Sequence, residues 1–364
     1  MKYIREYRDK ELVSHLTEEL QAHSTQPLTF MEVCGGHTMA FYKFGLPALL
    51  PENIQLLSGP GCPVCVTATR YLDQAVAYAR REDVTLATFG DLMRVPGSRS
   101  TLAQERARGA DIRTVYSSLD ALDIAAETPD RQVIFLGIGF ETTAPTSAAA
   151  ILEAAKRNID NFFLFSAHKV MPPAMAALID EGIPINGYLC PGHVSTVTGI
   201  AGYTALVERY QVSCVIAGFE PVDILQALLM LVQQQEAGRP AVEIQYTRAV
   251  KAEGNLKAQE RMHEVFQPRD DWWRGLGVLA ESGLGIREQY QQYDAEAKIA
   301  VDVEEPIEVA GCLCGEILKG LKIPLDCPLF GSVCTPSDPV GACMVSNEGA
   351  CATYYKYKRP AVGV

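Results

Sequence analysis

Six cysteines, Cys312, Cys314, Cys327, Cys334, Cys343 and Cys351, crowd one end of a chain of 364 residues that holds eleven in all. Free cysteines used only as small buried apolar residues do not cluster in this way. A reducing compartment disfavours structural disulfides, so the segment is expected to hold a metal. Glycine, proline and small residues flank the thiols, as in Cys314-Gly315, Cys327-Pro328 and Ala350-Cys351, and let backbone approach a bulky inorganic core. Four-cysteine zinc sites show tight C-x2–4-C pairs, which are missing here. The wide, irregular spacing with a Cys-Pro step fits a 4Fe-4S cluster better, with structural zinc as the alternative. Two of the six thiols would then be spare.

A second constellation lies upstream, where Ser58-Gly59-Pro60-Gly61-Cys62-Pro63-Val64-Cys65 leads into a stretch with helical apolar spacing over 66–80. A C-P-V-C pair at a helix N-terminus favours thiolate, makes Cys62 the better nucleophile and suggests a reversible dithiol. Half of a zinc site is the other reading of such a pair. Cys34, in Cys34-Gly35-Gly36-His37, stands open between a ligand-facing thiol with His37 beside it and a buried structural cysteine.

Other chemistries fall away. Gly137-Ile138-Gly139 continues to Thr142 where a dinucleotide fingerprint needs glycine. Neither a G-x-S-x-G elbow nor a Walker A sequence occurs, and His263-Glu264 does not extend to H-E-x-x-H. His168, His193, Glu141 and Glu220 are site candidates at strand ends, and each reads equally well as a loop or core residue with a satisfied partner.

The elements that must position these residues follow one theme from about 27 to 235: apolar run, turn, helical stretch. The runs at 28–33, 84–89, 133–138, 162–165, 185–189 and 214–217 predict strands of parallel α/β sheets, with ligands at their carboxyl ends. Gly-Phe-Glu occurs at 139–141 and again at 218–220, so a second unit is expected to begin near 125. Beyond about 240 come a charged helix over 255–265, a Trp272-Trp273 loop, an acidic linker over 302–308 and the cysteine-rich end. Such a tail is commonly held together by its metal.

A net charge of −12 without a basic block excludes a nucleic-acid or anionic-lipid footprint and points to protein partners. The N-terminus lacks a secretory apolar core, and no apolar run approaches the roughly 18 residues of a membrane helix. A soluble, cytoplasmic protein is expected.

Taken in order, MEVCGGHT at 31–38, GPGCPVC at 59–65, TFGDLMRVPG at 88–97, GFETTAPT at 139–146, PGHVS at 191–195, AGFEP at 217–221 and the CPLFG and EGAC blocks of the tail resemble the HypD family of hydrogenase maturation proteins. The likeness runs from about residue 3 to 358. It implies an α/β fold of two similar parallel-sheet domains, at 25–124 and 125–238, and a smaller iron-sulfur domain at 239–364 that packs with an N-terminal helix at 1–24. The family's proteins are scaffolds, rather than conventional turnover enzymes, on which the Fe(CN)2CO unit of nickel-iron hydrogenases is built. They work as one copy in a complex with the chaperone HypC and the cyanide donor HypE.

Carried over by motif, Cys34 matches the iron-binding cysteine, and Cys62 and Cys65 match the redox-active or iron-proximal pair. Cys314, Cys327, Cys334 and Cys351 match the 4Fe-4S ligands, whereas Cys312 and Cys343 fall outside those four. A dithiol can deliver the two electrons that release cyanide from a thiocyanate, and an iron-sulfur cluster can restore it one electron at a time. An iron-sulfur-dependent thiol-disulfide oxidoreductase is the competing reading, and a zinc-stabilised interaction module the third.

Overall fold

The computed structural model describes residues 5–358. Its strands are β1 Leu28–Glu32, β2 Ile54–Ser58, β3 Val84–Thr88, β4 Ile112–Thr114, β5 Gln132–Gly139, β6 Phe162–His168, β7 Gly187–Pro191, β8 Ser213–Ala217, β9 Val242–Ile244, β10 Phe266–Trp273 and β11 Gly277–Ile286. Two parallel sheets result, in the orders β2-β1-β7-β8-β9 and β4-β3-β5-β6, with β10 and β11 forming an antiparallel hairpin. Strands β3, β6, β7 and β8 are buried along their whole length, as strands covered on both faces must be.

Sheet membership does not follow the expected cut between 124 and 125. The chain lays down β1 and β2, builds the whole four-stranded sheet, and then returns to place β7 beside β1, in register from Phe30↔Gly187 to Glu32↔Leu189. A cut at 124 would sever β4 from β5 although β3 pairs with both. The repeated Gly-Phe-Glu is real as a structural repeat, with one copy at the end of β5 and the other after β8, one in each sheet.

The N-terminal helix, Lys10–His23, begins at Asp9, whose carboxylate accepts the N–H groups of Glu11 and Leu12. It packs on the helix Pro221–Glu236, burying Leu16 and Leu20 with Leu225 and Leu228. It therefore covers the five-stranded sheet, and its apolar stripe is not directed at the cysteine tail as expected.

The tail closes no core of its own. Cys314, Cys334, Cys343 and Cys351 belong to one apolar cluster with Met31, Val33, Cys62, Cys65 and Trp273. The helix Ala350–Tyr357 lies on the helix Gly35–Lys43, with the Tyr42 and Tyr354 hydroxyls 2.5 Å apart, and the turn Ala342–Met344 lies on the short helix Pro63–Val66. Among the described residues no helix is long and apolar enough to cross a membrane.

Candidate functional site at the carboxyl edge of the five-stranded sheet

β1, β2, β7 and β8 run parallel, so Cys34, Cys62, His193 and Phe219, which follow them, gather at one edge. Cys34 precedes the helix Gly35–Lys43, and the turn Gly59-Pro60-Gly61 lies directly on its backbone. The Gly35 N–H donates to the Gly61 carbonyl at 3.0 Å. A β-carbon on Gly61 would come within 2.2 Å of the Cys34 nitrogen, so only glycine permits this approach and the arrival of Cys62 beside it.

Beneath Cys34 lies Glu32, which is 1% exposed. Its carboxyl accepts the Cys34 N–H at 3.0 Å and the Thr38 hydroxyl at 2.5 Å. Burial raises this carboxyl to about 8 in spite of those bonds. Cys34 itself is half-buried. Burial pushes its thiol up to about 12, aided by the charges of Glu348 and Glu32, while the N–H groups of Gly36 and His37 pull the other way. A cation binding there must displace the thiol proton.

His37 is fully buried and does not face the thiol as a base would. Its Nε2 donates toward Gly218 O at 3.0 Å and Ala217 O at 3.3 Å, Nδ1 has no partner, and burial lowers the ring to about 4. Phe219 stacks on it at 4.6 Å and on the exposed His193 at 4.0 Å, so the phenyl ring is held between two imidazoles. His37 thus fixes the Cys34 helix to the end of β8.

Cys62 and Cys65 form a disulfide with Cα atoms 5.2 Å apart. They are 3% and 0% exposed. The helix they open is Pro63–Val66 alone, because Thr67 and Ala68 adopt extended backbone before a second helix, Thr69–Ala79. The expected continuous helix over 66–80 is therefore broken, and a single turn has little dipole with which to favour a thiolate.

In the tail, Cys312, Cys314, Cys327, Cys334 and Cys351 line one small cavity together with Ile317, Leu329, Phe330 and Met344. Cys343 is fully buried behind them and bonds to Cys314. The Val340 N–H donates to Cys334 Sγ at 3.3 Å. A β-carbon on Gly341 would fall 2.5 Å from Cys314 Sγ and 2.9 Å from Cys312 Sγ. Bonds from the thiols of Cys312, Cys343 and Cys351 hold Cys314 well below the ordinary thiol range. The sulfurs meet one another, and among the described residues no three His, Cys, Asp or Glu side chains converge as the ligands of one ion would. A lining of sulfur and hydrocarbon, without carboxylate or imidazole, has the donor chemistry of an iron-sulfur or thiolate-zinc site.

Of the remaining candidates, His168 is buried with Nε2 2.8 Å from the Ser147 hydroxyl, Glu141 is buried beneath the Met171 N–H, and Glu220 pairs with Arg8. None of these contacts involves Cys34 or the Cys62–Cys65 pair. Sequence reasoning missed Glu32 and Phe219, both within motifs it singles out; Cys312, one of the six tail thiols but outside the four that the resemblance implies, lines the cavity with those four.

Comparison with known proteins finds relatives along nearly the whole chain. A family model described as HypD, hydrogenase formation hypA family, matches residues 10–358. Hydrogenase maturation factor HypD2 of Bradyrhizobium diazoefficiens is 46% identical over 370 residues, covering 99% of this chain and 97% of that protein. Hydrogenase maturation factor HypD of Escherichia coli is 45% identical over 370 residues, with 99% of each chain covered. That of Cupriavidus necator is 45% identical over 370 residues, covering 99% of this chain and 98% of its own. With an α/β fold of two parallel sheets and the motif cysteines at one edge, the chain belongs to the HypD family of hydrogenase maturation factors.

Proposed function

We propose that this maturation factor is the scaffold on which the Fe(CN)2CO unit of nickel-iron hydrogenases is assembled, as one copy in a cytoplasmic complex with a HypC-type chaperone and a HypE-type cyanide donor. The observation that carries the reading is the contact of Gly61 with Cys34, which brings a lone thiol and the Cys62–Cys65 pair to one sheet edge.

In this reading Cys34, with Cys62 and Cys65 beside it, holds the iron cargo, and soft thiolate suits an iron that carries cyanide and carbon monoxide. Cys34 gives up its proton as the metal binds. The partner's thiocyanate then passes its carbon to the iron as cyanide, and its sulfur leaves as a thiol. Cys62 and Cys65 close to the disulfide, and one proton is released, so two electrons are accounted for. Reopening the pair takes two electrons and two protons. Cys314, Cys327, Cys334 and Cys351 would hold the 4Fe-4S cluster, which supplies those electrons singly when bound.

A thiol-disulfide oxidoreductase would use the same pair on protein disulfides. Exposures of 3% and 0% leave no face for a macromolecular disulfide. The test is infrared spectroscopy of the protein purified without oxygen together with its chaperone. Cyanide and carbonyl bands are expected in the wild type and absent from Cys34→Ala, which should keep its visible absorption. Bands that persist in Cys34→Ala would remove that residue from the role, and a colourless wild type would favour zinc.

A further inference from the structure

Outer strands of a sheet usually discourage pairing with other chains by being short, charged or covered. β4 and β9 have three residues each and carry Arg113 and Glu243, and β6 lies beside the hairpin, with Ser166 Oγ donating to Leu284 O at 2.8 Å. β2 is the exception. Its five residues, Ile54–Ser58, hold neither a charge nor a proline, and it pairs with β1 alone. The Leu28 N–H donates to Asn53 O, and the Gly59 N–H donates to Glu32 O. Alternate residues of a strand face the same neighbour, so Gln55 and Leu57 turn their main-chain groups toward β1 while Leu56 and Ser58 turn theirs away. Those outward groups have no hydrogen-bond partner among the described residues.

A groove of about 410 Å³ is lined by all five residues of the strand. Leu56 belongs to the apolar cluster of Phe41 and Leu50, and Leu57 to that of Ile317, so both sides of the groove are hydrocarbon. Ile323, 40% exposed, lies in the same lining. The charged residues there are Lys322, Lys358 and Glu52, all exposed. Neither lysine forms an ion pair among the described residues, and Lys358 Nζ stands over the rings of Tyr42 and Tyr354 at 5.5 and 5.2 Å. In a chain of net charge −12 this rim is locally positive.

We propose that the free edge of β2 is a docking site for an extended, acidic segment of a partner protein, which pairs main chain to main chain with Leu56 and Ser58. Outward groups that recur two residues apart, about 6.6 Å along the strand, match the repeat of a peptide backbone. The apolar walls on both sides take its alternate side chains, and Lys322 and Lys358 take its carboxylates. A second copy of this chain fits less well, because pairing β2 with β2 would set the lysines of the two copies against each other. β2 runs directly into the Gly59-Pro60-Gly61 turn that brings Cys62 to Cys34, so the docked segment lies against the strand that supports the site. The proposal involves no metal and stands apart from the scaffold reading.

The test titrates the full-length protein with a fluorescent synthetic peptide, a short alternating valine-threonine strand flanked by glutamates, and reads anisotropy. Saturable binding below about 1 mM is expected. Methylating alternate peptide nitrogens should weaken it at least about tenfold, because the pairing groups are lost while the side chains stay. Hydrogen exchange resolved to single residues should show the Leu56 and Ser58 N–H groups gaining protection when the peptide binds, with Gln55 and Leu57 unchanged. Leu56→Pro removes an N–H that does not face β1, so the sheet is kept and binding should fall at least about tenfold. A peptide with lysines in place of the glutamates should bind wild type at least about threefold more weakly, and should recover on Lys322→Glu combined with Lys358→Glu. No saturation, equal binding of the methylated peptide, equal binding of the acidic and basic peptides to wild type, or protection that bypasses Leu56 and Ser58 would overturn the assignment. So would a wild-type dimer that the peptide dissociates, since the occupant would then be a second copy. If Leu56→Pro does not fold, the methylated peptide on the wild type decides.

Discussion

Cys34 and Gly61 touch backbone to backbone, so closely that the position of a side chain on Gly61 is already occupied by the Cys34 main chain. The contact is what makes one site out of two motifs that are separated in sequence. Gly61→Ala should push the turn off β1. Overpacking of this kind costs about 1–3 kcal/mol, read as a lower denaturant midpoint. Iron retention at Cys34 should fall with it, and a variant with wild-type midpoint and iron content would contradict the close approach.

Glu141 ties pH to stability. Burial raises its carboxyl to about 7, with one oxygen bonded to the Met171 N–H and the other without a partner. The unfolded chain loses this proton near the ordinary value of 4.5, the folded chain only near 7. Its contribution is thus fully present below 4.5 and lost as pH rises through 7. His37 and His168, both lowered to about 4 by burial, act in the opposite sense as pH falls below 6.5. Comparison with Glu141→Gln isolates the carboxyl: from pH 4.5 to 8 the wild type should lose up to about 3 kcal/mol relative to the variant. Parallel stability curves for the two proteins would show that Glu141 ionises normally.

The tail cysteines separate by position. Cys327 lines the cavity and Cys343 stands behind it. Cys327→Ala should lose visible absorption, iron and acid-labile sulfide together, whereas Cys343→Ala should keep all three. Cys312 shares the cavity, so Cys312→Ala discriminates a fifth thiol from a ligand: unchanged iron content makes it a bystander. An unaltered spectrum in Cys327→Ala would take that residue out of the ligand set.

How much of this was legible beforehand depends on range. The strands β1, β3, β5, β6, β7 and β8 are continuous apolar runs buried on both faces, and such runs announce themselves. β2 is an edge strand with only Ile54 fully buried, β4 and β9 have three residues each, and β10 is charged and mostly exposed, so none carries that signal. The interleaving of the sheets was invisible because the pairing of Phe30 with Gly187 leaves no local mark. Cysteines could be found by type and spacing. The contacts of Arg274 could not, since only the fold brings the carbonyls of Val66 and Thr67 to it.

Burial of the Cys62–Cys65 disulfide sets who can open it. Both residues are enclosed by the apolar cluster that includes Val66, Trp273 and Cys343, so a protein reductant has no face to grip. A small phosphine should open the pair and allow two alkylations, whereas thioredoxin at a similar driving force should act at least tenfold more slowly. Thiol-disulfide exchange requires in-line approach of the attacking sulfur, which a macromolecule cannot achieve at a site this closed. Equal rates with the two reductants would mean that the helix Pro63–Val66 opens readily, and would return the oxidoreductase reading to contention.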